Sequence, residues 1–268
     1  MYYFFIVLSA LAGLVIGSFV NALVWRVKTG KSLWGRSQCP RCGHELGVKD
    51  LVPLFSFLFL GGKCRYCGRP ISWHYPFIEF SAMVLFALVY IKFAPLHLAD
   101  NIGSVALSDY QFAFTVGAQW VFITLLLAIF SYDLHYGFIP DIFTVPAILF
   151  AFLAHFILGR DLWGFIIAVF IGGGFFMLQY VVSRGRWIGG GDVNLGALMG
   201  AILGWPNIIP ALFLAYFIGS IVSLSLIVLK NKSWKSEIPF GPFLVISTII
   251  VMFLADQIIE IWYRLVGI

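Results

Sequence analysis

Eight runs of apolar residues, at about 3–25, 76–94, 112–131, 142–158, 162–182, 193–206, 207–229 and 241–263, limit what this chain can fold into. A helix needs about 20 apolar residues to cross a hydrocarbon core about 30 Å thick, and seven of the runs reach or approach that length. Lipid offers backbone N–H and C=O groups no partner, so such runs must satisfy themselves as helices. The run at 193–206 is short and broken by Gly196, Gly200, Gly204 and Pro206. Charged residues make up 11% of the chain, against about 25% in soluble domains. The fold class this predicts is an all-α polytopic membrane protein with about eight transmembrane helices. Nine tryptophans and eleven tyrosines suit the two interfacial belts of such a protein.

Positive charge separates eight spans from seven. With eight spans and an outside N-terminus, the inside segments are 26–75, 132–141, 183–192 and 230–240. They hold 14 of the 17 lysines and arginines; Lys92, Arg160 and Arg264 fall elsewhere. That asymmetry is what the positive-inside rule expects. Without the 193–206 span, Lys230, Lys232 and Lys235 would face outside. The net charge of +5 is thus explained by orientation. No basic amphipathic face or reading motif accompanies it, so the lipid bilayer and not nucleic acid is the expected partner. Met1–Val24 has no leading basic region and no clear small-x-small cleavage site, so it reads as a retained first span.

One non-membrane segment, roughly 26–75, is large enough to fold into a small domain, and it contains all four cysteines. They form two C-x2-C pairs, Cys39–Cys42 and Cys64–Cys67, with 21 residues between them. This approaches the zinc-ribbon spacing, and each pair is followed by a glycine, Gly43 or Gly68, that lets the chain turn back towards the sulfurs. One tetrahedral zinc on four thiolates is the expected product, with two disulfides or a redox pair as the alternatives. A cytoplasmic loop disfavours disulfides. Four thiolates leave no open coordination position, so the predicted role is structural, a staple for fifty residues with few core-forming groups. The apolar stretch 51–60 is too short to span and is expected to pack on the membrane surface or the helices.

Asp133 follows the third span and Asp192 follows the fifth, and both spans run outside to inside. The two carboxylates are therefore expected at one cytoplasmic face, with a helical hairpin between them. Carboxylates are costly near membrane depth and usually mark function. Two acids brought together in a partly dry site do not both ionise easily, so one keeps a proton while the other activates water. That is the apparatus of aspartic proteolysis. Gly189, Gly190 and Gly191 precede Asp192, and they predict a bend where substrate backbone can approach. A purely capping Asp192 is the competing reading. Asp141 competes as the first carboxylate, but it directly precedes the fourth span, where an acidic cap is favourable, so its expected role is supporting. His135 has no matching Ser or Cys nucleophile and reads as a packing histidine. Gly172-Gly173-Gly174, inside the fifth span, reads as close helix packing and not as a nucleotide loop.

In this order, Gly17-Ser18-Phe19-Val20-Asn21, the two cysteine pairs, Pro70-Ile71-Ser72-Trp73-His74-Tyr75-Pro76 with Glu79, the string from Asp133 to Pro140-Asp141, the G-x-G-D pattern Gly189–Asp192 and Pro239-Phe240-Gly241-Pro242-Phe243 form a specific set. The chain resembles the type IV prepilin peptidases, the bifunctional leader peptidase/N-methyltransferases of bacterial pilus and type II secretion systems. The resemblance implies that Asp133 and Asp192 are the catalytic pair, supported by Gly189, Gly191 and Asp141. It implies cleavage after a glycine at the end of a short basic leader on prepilins or pseudopilins. It also implies methylation of the new amino terminus, usually phenylalanine, with S-adenosylmethionine as donor, and Glu79 is a candidate contact for that donor. The bacterial inner membrane is the implied location, with the active site facing the cytoplasm. Residues 1–110, with the first two spans and the zinc loop, would serve methyl transfer, and 111–268 would form the peptidase core.

Two other classes compete. A transporter could use the two aspartates as proton or cation sites, but neither lies mid-span and no inverted repeat is evident. A non-catalytic zinc-loop scaffold would need the cysteines but not two aspartates on one face.

Overall fold

The structure, a computed structural model, describes residues 1–98, 108–229 and 238–266. The expected inside lysines Lys230, Lys232 and Lys235 lie outside the described residues. Among those residues the chain is helical, and no strand forms beyond two single antiparallel bridges. Every predicted apolar run is a helix. These are α1 (Tyr2–Thr29), α3 (His74–Leu98), α4 (Asp109–Tyr136), α5 (Asp141–Ile157), α6 (Leu162–Ser183), α7 (Gly190–Leu203), α8 (Ile208–Val228) and α9 (Gly241–Val266), and a five-residue α2 (Phe55–Phe59) lies in the cysteine loop.

Among the described residues five of them, α1, α3, α4, α6 and α8, are long and apolar enough to cross a membrane. α5 has 17 residues and α7 only 14. At about 1.5 Å per residue, α7 covers roughly 21 Å, less than a full hydrocarbon core. Gly204, with φ +69, ends it where the sequence already marked a break. Phe170 of α6 and Phe217 of α8 are 74% and 63% exposed. Rings left outward on apolar helices belong in lipid, and the protein is a multi-pass membrane protein.

The chain forms two compact units, Met1–Ala128 and Ile129–Ile268. In the first, α1 packs on α3 through glycines. A Cβ on Gly13 would lie 2.5 Å from the Ala82 carbonyl oxygen, and one on Gly17 would lie 2.7 Å from Glu79 Cα. Without side chains at these points the backbones close up, which is how helices associate where lipid removes the hydrophobic drive. Asn21 Nδ2 donates to the Tyr75 carbonyl across the same seam, 3.0 Å away. The motif residues around 17–21 and 70–79 are therefore one interface. α1 stops at Gly30, whose φ of +64 lets the amides of Gly30 and Lys31 close onto the last turn.

In the second unit α7 is the central helix, packed against α5, α6 and α9. Gly172 of α6 meets Gly196 of α7 backbone to backbone, and Gly200 of α7 meets Ala168 in the same way. Of the three glycines at 172–174, the first two line this contact and Gly174 faces open space. Asp161 caps α6 by accepting the amides of Trp163 and Gly164, each at 3.0 Å.

Candidate active site and four-cysteine centre

Each cysteine pair forms a knuckle. The Gly43 amide donates to the Cys39 carbonyl and the Gly68 amide to the Cys64 carbonyl, both at 2.9 Å. The chain then returns through the Cys39 amide to His44 O and the Cys64 amide to Arg69 O, also at 2.9 Å. Gly43 and Gly68 have φ of +73 and +67, a region other residues adopt at a cost. Gln38 pairs with Glu45, and Lys63 with Pro70, as single antiparallel bridges.

The result is four free thiols whose sulfurs all lie within 4.8 Å of one another. A tetrahedral site with metal–sulfur bonds of about 2.3 Å needs sulfurs about 3.8 Å apart, so the cluster can hold a metal ion after a small contraction. Burial pushes the Cys39 thiol up, but the Cys42 and Arg41 amides donate towards its sulfur and bring it to about 7. Thiolates are the form a metal takes. Asp50 ties the loop together by accepting from Arg65 Nε at 2.6 Å, Tyr66 Oη at 2.9 Å and the Gly47 amide at 3.1 Å. Within the stretch 51–60 only Phe55–Phe59 form α2, with Ser56 and Phe57 buried and Phe55, Leu58 and Phe59 exposed.

Glu79 is buried in α3, and its Oε2 accepts the Leu54 amide at 2.8 Å. Leu54 has φ +60 and starts α2. A left-handed leucine is costly, so the Glu79 bond fixes where α2 begins.

The two aspartates lie in helices and not in the loops after them. Asp133 is in the last turn of α4, and Asp192 is in the first turn of α7. The bend expected from the glycines is confined to Gly189, because Gly190 and Gly191 already belong to α7. Asp192 Oδ2 accepts the Gly189 amide at 2.9 Å, so it does cap its helix, and Oδ1 is left for other work. Asp133 is 3% exposed, and its Oδ2 is fully buried, approached by the Gly241 backbone but without a hydrogen bond of full geometry. An orphaned buried oxygen costs about 1–3 kcal/mol and calls for a functional explanation. The two carboxylates are close enough to act on each other electrostatically.

Ile139 joins the parts of this corner. A Cβ on Gly191 would lie 2.8 Å from Ile139 Cβ, and one on Gly241 would collide with Asp133 Oδ2 and lie 3.0 Å from Ile139 Cδ1. Gly241, at the start of α9, therefore lets that helix abut Asp133. Asp141 is the first residue of α5, with Pro140 as its cap. Its Oδ1 accepts Asn194 Nδ2 at 2.7 Å and ties α5 to α7 beside Asp192. His135 Nδ1 sits 3.0 Å from the Ser131 carbonyl of its own helix.

The second unit thus brings together Asp133, Gly189, Gly191, Asp192 and Asp141, and the first unit holds the cysteines and Glu79. Ile139, Asn194 and the part played by Gly241 were not legible in advance. A carboxamide standing alone in the 193–206 run was a usable signal for Asn194. Ile139 is one apolar residue among many and gave none.

Residues 11–93 match a family model for the bacterial peptidase A24 N-terminal domain, and residues 120–224 match one for the type IV leader peptidase family. The chain is 28% identical to the prepilin leader peptidase/N-methyltransferase of Pseudomonas aeruginosa, over 98% of its own length and 95% of that protein. The protein of that name from Bacillus subtilis is also 28% identical, over 94% of this chain and 96% of its own. Its counterpart in Aeromonas hydrophila is 31% identical over 85% of this chain and 74% of its own. No solved structure matches significantly. Neither model nor relative is a transporter, and the ordered motifs, the helical architecture and these matches agree: the chain belongs to the type IV leader peptidase family.

Proposed function

We propose that this protein is a membrane aspartic endopeptidase that removes the basic leader from prepilins or pseudopilins after glycine and then N-methylates the new terminus. The observation that carries the peptidase reading is the corner where α4, α7 and α9 meet. It holds one buried carboxylate with an unpartnered oxygen, Asp133, beside a second, Asp192, that keeps one oxygen free. One carboxyl of the pair carries a proton and the other takes one from water, so that hydroxide reaches the scissile carbonyl as the acid donates to its oxygen. Collapse of the tetrahedral intermediate returns a proton to the leaving amine. The pair titrates as a unit. Asp141, through Asn194, and the small residues Gly189 and Gly191 hold Asp192 in register.

Residues 111–268 carry this chemistry, and residues 1–110 are assigned to methyl transfer. Cys39, Cys42, Cys64 and Cys67 would hold one structural zinc, which cross-links the loop. S-adenosylmethionine would supply an electrophilic methyl group to the amine exposed by cleavage. The positive charge between α1 and α3 supports a cytoplasmic loop, and Arg184 and Arg186 before Asp192 support the same side of a bacterial inner membrane for the active-site face. The test is incubation of purified protein with a synthetic prepilin, followed by mass spectrometry of the mature N-terminus. Asp133→Asn and Asp192→Asn are each expected to lower cleavage by at least a thousandfold while the helical circular dichroism is unchanged. Cleavage at the wild-type rate by either variant refutes the assignment.

A further inference from the structure

Beside the cysteine centre lies an open cleft of about 400 Å³. This falls within the roughly 300–1,000 Å³ that small-molecule sites occupy. Phe57 of α2 and Trp73, just before α3, form its aromatic wall, with ring centroids 4.8 Å apart and edge to face. Ile71 and Gly62 close another side, joined by a hydrogen bond from the Ile71 amide to the Gly62 carbonyl at 2.7 Å. Gly62 has φ +70 and packs under Phe57, where a Cβ would lie 3.2 Å from the ring. Lys63 adds one cation at the rim and, among the described residues, has no acidic partner. Trp73 is 74% exposed, a large aromatic face left open towards the cleft.

We propose that the cleft between Phe57, Trp73 and Lys63 is the binding site for S-adenosylmethionine. The proposal rests on the N-methylation reading above and names the site for it. The complementarity is chemical. An adenine ring lies on apolar and aromatic walls, a sulfonium is drawn to aromatic faces, and the amino-acid carboxylate pairs with a free lysine.

The cleft's position explains two other features. Gly62, Lys63, Pro70 and Ile71 are the two sides of the second knuckle, paired at Lys63–Pro70. A metal held by Cys64 and Cys67 would therefore brace one wall. Glu79 fixes Leu54, which starts α2, which carries Phe57. Glu79 is thus a positioning residue for the opposite wall and not a contact of the donor.

The test is equilibrium dialysis of labelled S-adenosylmethionine against the full-length protein in detergent, without prepilin, with metal content measured on the same samples. Trp73→Ala and Lys63→Glu are expected to weaken binding at least tenfold with metal retained. Leu58→Trp lines the cleft from a side chain that is 66% exposed, so it fills the space without replacing a buried group, and the same loss is expected. Wild-type binding with all three variants within twofold of it overturns the cleft and leaves the methylation reading standing. Absence of donor binding by the wild type at millimolar ligand refutes the methylation reading itself.

Discussion

Replacing Gly191 by alanine tests the geometry of the aspartate corner more sharply than removing a carboxylate. The new Cβ would sit 2.8 Å from Ile139 Cβ and 3.1 Å from the Ile139 carbonyl oxygen. Ordinary carbon contacts lie at about 3.5–4.0 Å, so one partner must move by roughly 1 Å. Ile139 is backed by the start of α9 near Gly241, so α7 is the element that yields. Asp192 is the next residue along. A displacement of about 1 Å at a catalytic group costs about 100-fold, or about 2.7 kcal/mol of transition-state stabilisation. Overpacking costs about 1–3 kcal/mol of stability, offset by up to about 1 kcal/mol from alanine's better helix propensity. Gly190→Ala is the control, because nothing lies within 4 Å of its Cβ position. Its thermal midpoint should equal or exceed that of the wild type. The assay is kcat/KM for prepilin cleavage in detergent, read by mass spectrometry, beside a circular dichroism melt. A Gly191→Ala enzyme within threefold of wild type, or a Gly190→Ala protein that melts as low as Gly191→Ala, would refute the packing argument.

Other perturbations separate the remaining contacts. Cys42→Ser should lower bound metal from one per chain to a fraction of that by elemental analysis, since three thiolates hold zinc far less well than four. Asn194→Leu leaves Asp141 Oδ1 without its partner, and a loss of about 0.5–1.5 kcal/mol in stability with a several-fold fall in cleavage is expected. The Arg65 guanidinium beside Asp50 holds its carboxyl below the usual range, against burial and with help from Tyr66 and the Gly47 amide. The folded-state value is depressed, so the stabilisation is present above the unfolded value of about 4 and is lost as pH falls through the folded one. Protease sensitivity of the loop should therefore differ between wild type and Asp50→Asn at pH 7, and the difference should shrink as pH falls below the unfolded value of about 4.

Much of the fold was legible because its physics is local. Apolar runs of spanning length must be helices wherever lipid is the solvent, and all eight expected runs are helices. The cysteine centre was legible for the same reason, since two C-x2-C knuckles with trailing glycines are nearly self-contained. The placement of the aspartates was less so. Both were expected just beyond their spans and both lie inside helices, because α4 continues five residues past the apolar run and α7 begins before Asp192. Polar residues at a helix end look like loop in a hydropathy pattern, although backbone hydrogen bonding carries the helix through them.

The sequence by itself determined the class, the helices, the four clustered cysteines and the two carboxylates, each written in residue types at short spacing. Only the tertiary structure decided which of three consecutive glycines matters, since Gly190 faces open space and Gly191 faces Ile139. It alone brought Gly241 from the far end of the chain against Asp133, and paired Asp141 with Asn194 53 residues on. The reason is that close approach between helices depends on which side of each helix meets the other. A residue's type does not state its partner when that partner is distant in sequence.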